Sequence, residues 1–428
     1  MLSINLKKES RWLQRFVFAS LACVYLFLAP NYEWKPEETG TAYGADFLQE
    51  WVGARMFLTG HVSELYDVNV FRDWQYNPSI MGFAWKTDAY FPPVYPPPHY
   101  VLFSPLACIP YRWAVVVWVL TLIGAAYLSS KLIADIVNHA GSQGGPDTAA
   151  TLHSRSKYLW LGMILFPSLL FSITLGQKSV CWLLLICLTW RLLQCHREYA
   201  AGMVFGLLSI KPTLFFLVPI VLLRNGCWRF FIGASVSVCA IWGGTACLVP
   251  IDTWLAFAKV VGQVGNYAEN SGYHLEWSCN LMTMAYSLPV EQTQWCKWAI
   301  CLPLSIYLLY CVFEDRRYAI NSPEKAMMLF GATLLLSPHT YHYDLCILLL
   351  PILWLFATAP RNGMAYYGLL AIGVTVASNI QELVHVPILP ILLLGVLCEL
   401  RLRGLLFQVQ EPIDASWNLS KPQFRSDG

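Results

Sequence analysis

Long apolar runs, most of them near the length that crosses a bilayer, recur along nearly the whole chain. Hydrophobic residues make up 57% of the 428 residues and charged residues only 13%, whereas soluble domains carry about a quarter charged residues. Because a bilayer offers no water to unpaired backbone groups, such runs must fold as helices that satisfy their own hydrogen bonds. The sequence therefore predicts an all-α polytopic membrane protein.

The lengths of the runs and the excess of Lys and Arg in inner loops predict about twelve spans, with both termini cytoplasmic. The expected spans are 16–30, 112–134, 158–175, 179–194, 199–210, 212–223, 230–249, 295–313, 325–337, 345–358, 364–379 and 386–400. We expect one transmembrane domain over 1–403 and a cytoplasmic tail over 404–428. The first run does not end in a small-residue cleavage site, so we expect a retained helix rather than a signal peptide.

The segment after the first span, 31–111, is long, polar and aromatic, and we expect it to form the first outer loop. Within it, 47–59 has apolar residues at helical spacing, and 99–109 lies between a run of three prolines and Pro110. Both are too short to span, which predicts two interfacial or re-entrant helices. A chain that only had to sit in a bilayer would not need this loop, so we expect the chemistry on its side of the membrane.

Cysteines and basic residues exclude several classes of function. The 14 cysteines lie mostly inside apolar runs and show no paired ligand spacing, so neither a disulfide framework nor a metal site is expected. The basic residues cluster at span ends rather than on one face, which argues against a nucleic-acid partner. We expect membrane lipids as the surroundings and no cofactor.

The first outer loop carries the acidic candidates Asp46, Glu50 and Asp67. Asp46 directly precedes the predicted helix over 47–59, where a carboxylate commonly caps the helix. A cap and a catalytic carboxylate are both compatible with this position. The residues alone leave the choice open.

Two lysines break the positive-inside pattern, because Lys178 and Lys211 fall at turns on the outer side. A lysine in such a place more often snorkels to the membrane surface than binds a ligand. Both, however, are flanked by Gly or Pro at tight turns, which favours a functional role.

A late outer segment, Ser-Pro-His-Thr-Tyr-His-Tyr-Asp, concentrates polar groups between two predicted spans. His339 and His342 are three residues apart and share one face if the segment is helical. The alternative is a polar interfacial turn. A metal site would need a third ligand, which no spacing motif supplies.

Several short motifs, taken in order, resemble glycosyltransferase family 87, a branch of the GT-C superfamily that includes polyprenyl-phosphate-mannose-dependent mannosyltransferases. The motifs are Gly44-Ala45-Asp46-Phe47, Gly60, Leu65-Tyr66-Asp67, Tyr95-Pro96-Pro97, Pro105-Leu106, Gly176-Gln177, Ile210-Lys211-Pro212, and Leu336-Ser337-Pro338 followed by His339. They extend over about residues 40 to 345, which is most of the chain. One departure is that the family commonly has Gly-Gln-x-Asn, where this chain has Gly176-Gln177-Lys178-Ser179.

The resemblance implies a GT-C fold and transfer of a hexose, with mannose expected, from a polyprenyl-phosphate donor to a lipid or glycan acceptor. It implies inversion at the anomeric carbon, with Asp46 as the catalytic carboxylate and His339 in the late outer loop. We expect the donor phosphate at Lys178, Lys211, His339 and His342, and substrate contacts from Glu50, Asp67, Tyr95 and Gln177. The enzyme would lie in the plasma membrane with its site on the outer face.

The expected chemistry is consistent with these residues. An acceptor hydroxyl needs a carboxylate within hydrogen-bond reach, and a leaving phosphate needs a cation or a cluster of donors. A secondary transporter is the alternative, since about twelve spans is common in that class, but the two halves show no matching pattern. A non-enzymatic scaffold would leave the polar residues on one side unexplained.

Overall fold

The computed structural model describes most of the chain between residues 44 and 407. The described residues are 14, 44, 46–82, 90–143, 145–270, 278–282, 294–314, 322–337, 339–359, 373 and 388–407. The predicted first span, almost all of the eleventh and most of the C-terminal tail lie outside them. The regular structure of these residues is helical, apart from one isolated antiparallel bridge between Ser278 and Tyr341. The all-α class is therefore confirmed.

The helices of the first half run from the outer-loop segment to the turn that contains Lys211. They are α1 Phe47–Leu58, α2 Val68–Tyr76, α3 Pro78–Met81, α4 Pro97–Ala107, α5 Tyr111–Ser142, α6 Pro146–Ser156, α7 Leu159–Ile164, α8 Pro167–Thr174, α9 Ser179–Gln194 and α10 Glu198–Gly206. Short 3-10 turns at Val62–Glu64 and Leu207–Ile210 complete this half.

The second half contains both long and short helices. They are α11 Pro212–Phe215, α12 Leu217–Arg224, α13 Trp228–Val238, α14 Gly244–Leu248, α15 Ile251–Asn270, α16 Gln294–Glu314, α17 Pro323–Leu336, α18 Leu349–Thr358 and α19 Ile388–Phe407. A π-helical turn, Cys239–Gly243, joins α13 to α14, and a 3-10 helix, His342–Leu348, leads into α18.

Two stretches among the described residues are long and apolar enough to cross a membrane, namely Tyr111–Ser142 and Trp228–Leu248. Shorter apolar helices occupy several other predicted spans, at Ser179–Gln194, Glu198–Ile210, Pro212–Arg224, Trp298–Phe313 and His342–Thr358. The positions of the apolar helices thus follow the predicted runs, while the count of twelve spans stays a prediction.

Several predicted span boundaries differ from the helices. The span expected over 112–134 continues as α5 to Ser142, and the span expected over 386–400 continues as α19 to Phe407. The run expected as one span over 158–175 is divided into α7 and α8 at Phe166. Pro167 explains the division, because proline donates no backbone hydrogen bond and disfavours helical geometry in the residue before it.

The two predicted short helices of the outer loop exist as α1 and α4. They pack against each other, and α1 is mostly buried, whereas α4 leaves Leu102 and Pro105 exposed; their position relative to the membrane stays a prediction. Trp51 Nε1 and Arg55 Nη1 of α1 donate to the backbone carbonyls of Ile109 and Ala107 at the end of α4, at 3.1 Å each. A Cβ on Gly53 would lie 2.3 Å from the Tyr100 ring, so this glycine permits the close approach of the two helices. The core therefore extends into the segment that carries Asp46.

Six of these helices have a proline as their first residue, where its missing N–H costs nothing. They are α3, α4, α6, α8, α11 and α17. The start of α11 fixes the turn at Lys211, and α8 leads directly to the turn at Lys178. The prolines thus set where the polar turns lie between apolar helices.

Candidate active site

Asp46 stands directly before α1 and is half-buried. Its side chain makes no capping hydrogen bond to the helix. Instead, its Oδ2 accepts a hydrogen bond of 2.6 Å from Nε2 of Gln177, which lies 131 residues further along the chain. The carboxylate therefore links two distant turns and keeps a partly exposed surface.

The two turns that meet here are held by backbone contacts and by glycine. The carbonyl of Gly44 accepts hydrogen bonds from Phe47 N at 2.9 Å and from the Tyr111 hydroxyl at 3.2 Å. Gly176 has φ +70°, and a Cβ there would lie 3.0 Å from Cβ of Phe47 and 3.3 Å from Cα of Gly44. Trp118 Nε1 donates to the carbonyl of Gly176 at 2.7 Å. Only glycine provides both the left-handed conformation and the space for this contact.

One turn further along α1, Glu50 is fully buried and forms an ion pair with Lys178. The same carboxylate oxygen lies 3.4 Å from Nε2 of His99, a fully buried residue of α4. The Lys178 ammonium also stands 4.0 Å from the centroid of the Tyr95 ring, which stacks on His99 at 4.2 Å. Both the carboxylate and the ring face stabilise the buried cation.

The protonation states in this cluster follow from burial and charge. Burial raises the pKa of Glu50, but Lys178 and His99 outweigh burial and hold that pKa below its usual value. Burial, assisted by Lys178, lowers the pKa of His99 to about 4. At neutral pH Glu50 is therefore a carboxylate and His99 a neutral imidazole.

A second buried ion pair forms where the turn at Lys211 meets the 3-10 helix His342–Leu348. Lys211 Nζ donates to Oδ1 of Asp344 at 2.5 Å, and Ser179 Oγ donates to the same oxygen at 2.8 Å. The other oxygen, Oδ2, accepts from the backbone N–H of Tyr341 at 3.3 Å. Asp344 is 1% exposed, so it serves as the counter-ion of Lys211 inside the protein. Neither lysine snorkels to a surface.

Tyr95 lies between the two ion pairs. Burial raises its pKa above the usual value, Lys211 lowers it, and the carboxylates Glu50, Asp344 and Asp46 raise it. The backbone carbonyl of Tyr95 accepts a hydrogen bond of 2.7 Å from the Tyr66 hydroxyl, which fixes the loop before α4. One aromatic side chain is thus within electrostatic range of all three carboxylates.

The late polar segment around His339 packs against the loop that contains Ser278 and Cys279. The backbone N–H of Cys279 donates to the carbonyl of Thr340 at 3.1 Å, beside the bridge between Ser278 and Tyr341. His339 lies with its ring centroid 4.9 Å from that of Tyr341, and burial, assisted by Lys211, lowers the pKa of His339 to about 4. Loops that the sequence assigned to one side of the membrane therefore do meet.

His342 is also buried, but it faces a different neighbour. Its ring meets the edge of Phe171 of α8 at a centroid distance of 4.8 Å. In the part of the chain that the structure describes, no three His, Cys, Asp or Glu side chains are grouped so as to hold a metal ion.

The comparison with protein families now identifies the chain. The model of glycosyltransferase family 87 matches residues 94–338, which is more than half of the chain. The chain belongs to glycosyltransferase family 87. No curated protein and no solved structure gives a significant match.

In this glycosyltransferase, the three carboxylates of the site lie outside the matched residues, and their partners lie inside. Asp46 binds Gln177, Glu50 binds Lys178, and Asp344 binds Lys211. The structure therefore joins the family-matched region to both flanking segments through three polar contacts.

Asp67 and His342 are the predicted site residues whose described contacts do not reach Asp46 or the two ion pairs. Asp67 is exposed, and its Oδ1 accepts from the backbone N–H groups of Asn69 and Val70 at 2.9 and 3.1 Å. It thus makes the helix cap that we considered for Asp46, on α2 instead.

Sequence reasoning did not select Asp344, Ser179 or His99 for the site. A signal for Asp344 was present, because two lysines within apolar surroundings require two nearby counter-ions. The late polar segment ends in an aspartate on the side where both lysines were expected. Ser179 and His99 carry no comparable signal.

Proposed function

We propose that this glycosyltransferase moves a hexose, with mannose as the expected sugar, from a polyprenyl-phosphate donor to a lipid or glycan acceptor. Asp46 acts as the general base for the acceptor hydroxyl. The transfer inverts the anomeric carbon, and the site faces the outer side of the plasma membrane.

The observation that carries this proposal is the difference among the three carboxylates. Glu50 and Asp344 are each about 1% exposed and each is ion-paired with a lysine. Asp46 is half-buried and accepts a hydrogen bond from the neutral amide of Gln177. A general base needs an acceptor oxygen that the substrate hydroxyl reaches, and Asp46 meets this requirement best.

The leaving phosphate requires positive charge or hydrogen-bond donors, and Lys178 and Lys211 supply the charge in our proposal. The low pKa of His339 makes it a neutral donor rather than a cation. We assign it, with His342, a hydrogen-bonding role toward the phosphate. Gln177 positions Asp46. Tyr95 supports the substrate, and Glu50 supports Lys178.

For the membrane arrangement we retain one transmembrane domain over 1–403 with about twelve spans, and a cytoplasmic tail over 404–428. A single introduced cysteine at Glu64 should be labelled from outside, and one at Gln143 only after permeabilisation. The native cysteines that react must first be removed. Equal labelling of both positions from outside would contradict the arrangement and the location of the site.

The proposed reaction is tested with the purified full-length chain and a radiolabelled polyprenyl-phosphate mannose. We expect label to pass to a lipid extract of the source membrane, and not to pass with the Asp46→Asn variant. The alternative, a transporter, is tested by measuring the uptake of a labelled solute into vesicles that contain the protein but no donor. Accumulation of a labelled solute in those vesicles, together with no transfer in the first assay, would refute the proposal.

The same assay settles the sugar. Polyprenyl-phosphate glucose and polyprenyl-phosphate mannose are offered at equal concentrations. A higher kcat/KM with the mannose donor is expected. A preference for glucose would correct the sugar and leave the reaction class intact.

A further inference from the structure

We propose that Asp344 is a positioning residue for the transfer, which holds the Lys211 ammonium in place for the donor phosphate. This inference rests on the proposed function, because it assigns the phosphate contact to Lys211. It concerns a residue six positions beyond the end of the family match.

The first support is the way in which the carboxylate is fixed. Oδ1 of Asp344 accepts from Lys211 at 2.5 Å and from Ser179 at 2.8 Å, while Oδ2 accepts from the backbone N–H of Tyr341 at 3.3 Å. Because both of its oxygens accept hydrogen bonds, the carboxylate is held in one orientation. The lysine and the serine, which come from two different turns, are therefore held side by side.

The second support is the remaining capacity of the ammonium. A lysine has three N–H donors. Within the described residues, Asp344 is the one side chain that accepts a hydrogen bond from Lys211. An oxyanion of the donor would complete the ammonium's hydrogen bonds without breaking the ion pair.

The third support is location. The charge of Lys211 acts on Tyr95 and on His339, so the ammonium lies among the other groups of the site. A buried ion pair generally adds little net stability compared with apolar residues of the same size. Stability alone therefore does not account for a lysine at this point, whereas the placement of a cation for a phosphate does.

The test measures initial transfer rates of the full-length chain against the concentration of polyprenyl-phosphate mannose. Asp344→Asn keeps the shape of the side chain and removes its charge. We expect the donor KM to rise about tenfold with a much smaller change in kcat. Lys211→Met should raise the donor KM by at least as much, and the double variant by no more than Lys211→Met alone.

Because removal of one partner of a buried pair can impair folding, Asp344→Glu provides a second variant. It retains the charge but moves the carboxylate by one methylene. We expect thermal stability near that of the wild type and a donor KM raised several-fold. Asp73→Asn, an exposed acidic residue of α2, is the matched control and should leave the donor KM unchanged.

Two results would overturn the inference, and each identifies a different failed assumption. If Lys211→Met raises the donor KM while Asp344→Glu and any folded Asp344→Asn keep the wild-type value, Asp344 is a structural counter-ion only. If Lys211→Met itself keeps the wild-type donor KM, the phosphate role of Lys211 fails, and the role of Asp344 fails with it.

Discussion

Replacement of Asp46 by asparagine separates a catalytic carboxylate from a structural one. Asparagine has nearly the same shape and still presents an oxygen to Nε2 of Gln177, which now donates to Asp46 at 2.6 Å. The helix loses no cap, since the side chain makes no capping hydrogen bond in the structure. What the substitution removes is the negative charge and the ability to take a proton.

The two expected magnitudes differ widely. A hydrogen bond to a charged group is worth about 1.5–3 kcal/mol and a neutral one about 0.5–1.5 kcal/mol, so the loss of stability should be about 1 kcal/mol. Loss of a general base lowers the rate by roughly 10²–10⁴-fold, which corresponds to about 3–5 kcal/mol in the activation free energy.

Both quantities are measured on one preparation of Asp46→Asn, by labelled transfer and by thermal unfolding in detergent. We expect a melting temperature within a few degrees of the wild type and transfer reduced by at least about a hundredfold. Asp73→Asn controls for the loss of a carboxylate elsewhere. A folded Asp46→Asn with near-normal transfer would refute the assignment of the base.

The remaining predictions concern the lysines, the buried histidine and the glycine at the turn. Lys178→Ala and Lys211→Ala should raise the donor KM about tenfold or more, and Lys→Arg should retain part of the affinity; an unchanged KM in both would refute phosphate binding. Burial lowers the pKa of His99 to about 4, so the unfolded chain binds the extra proton below about pH 6.5 and the folded state loses stability as the pH falls. His99→Gln should therefore reduce the loss of unfolding free energy between pH 7 and 5 by about 2 kcal/mol, as followed by unfolding at the two pH values; an unchanged loss would contradict a neutral His99. Gly176→Ala should lower both stability and transfer, since it adds a clash with Phe47 to about 1–2 kcal/mol of backbone strain. Gly82→Ala, with a similar φ of +77° and open space at its Cβ, should lower stability without lowering transfer. If both variants lowered transfer equally, the close contact of Gly176 with Phe47 would have no role in activity.

The helical elements were predictable to the extent that local signals determine them. The run over 179–194 forms α9 residue for residue, because its apolar length is bounded by polar turns on both sides. The division at Phe166 also had a local cause in Pro167. The extension of α5 to Ser142 had none, since polar residues at the end of a helix resemble the start of a loop.

The sequence predicted several of the residues that meet in the cluster, but it predicted neither their pairs nor the presence of Asp344, Ser179 and His99. The sequence placed Asp46, Glu50, Lys178 and Lys211 on one side through charge bias and chain order. Which carboxylate meets which lysine depends on how turns about 130 residues apart in the sequence come together. No spacing along the chain encodes that distance. The cap on Asp67 instead of Asp46 has the same origin, because tertiary contact with Gln177 competes for the Asp46 side chain.

The electrostatic balance of the site explains why three segments distant in sequence must be present together. A lysine in a low-dielectric interior is costly unless a carboxylate accompanies it, so each buried ammonium requires its own counter-ion. Glu50 meets this need for Lys178 and Asp344 for Lys211. Asp46, the third carboxylate of the cluster, is the one of the three that is partly exposed. In our proposal, the two paired lysines serve the phosphate leaving group and Asp46 serves the acceptor hydroxyl, at the point where the turns of the fold converge.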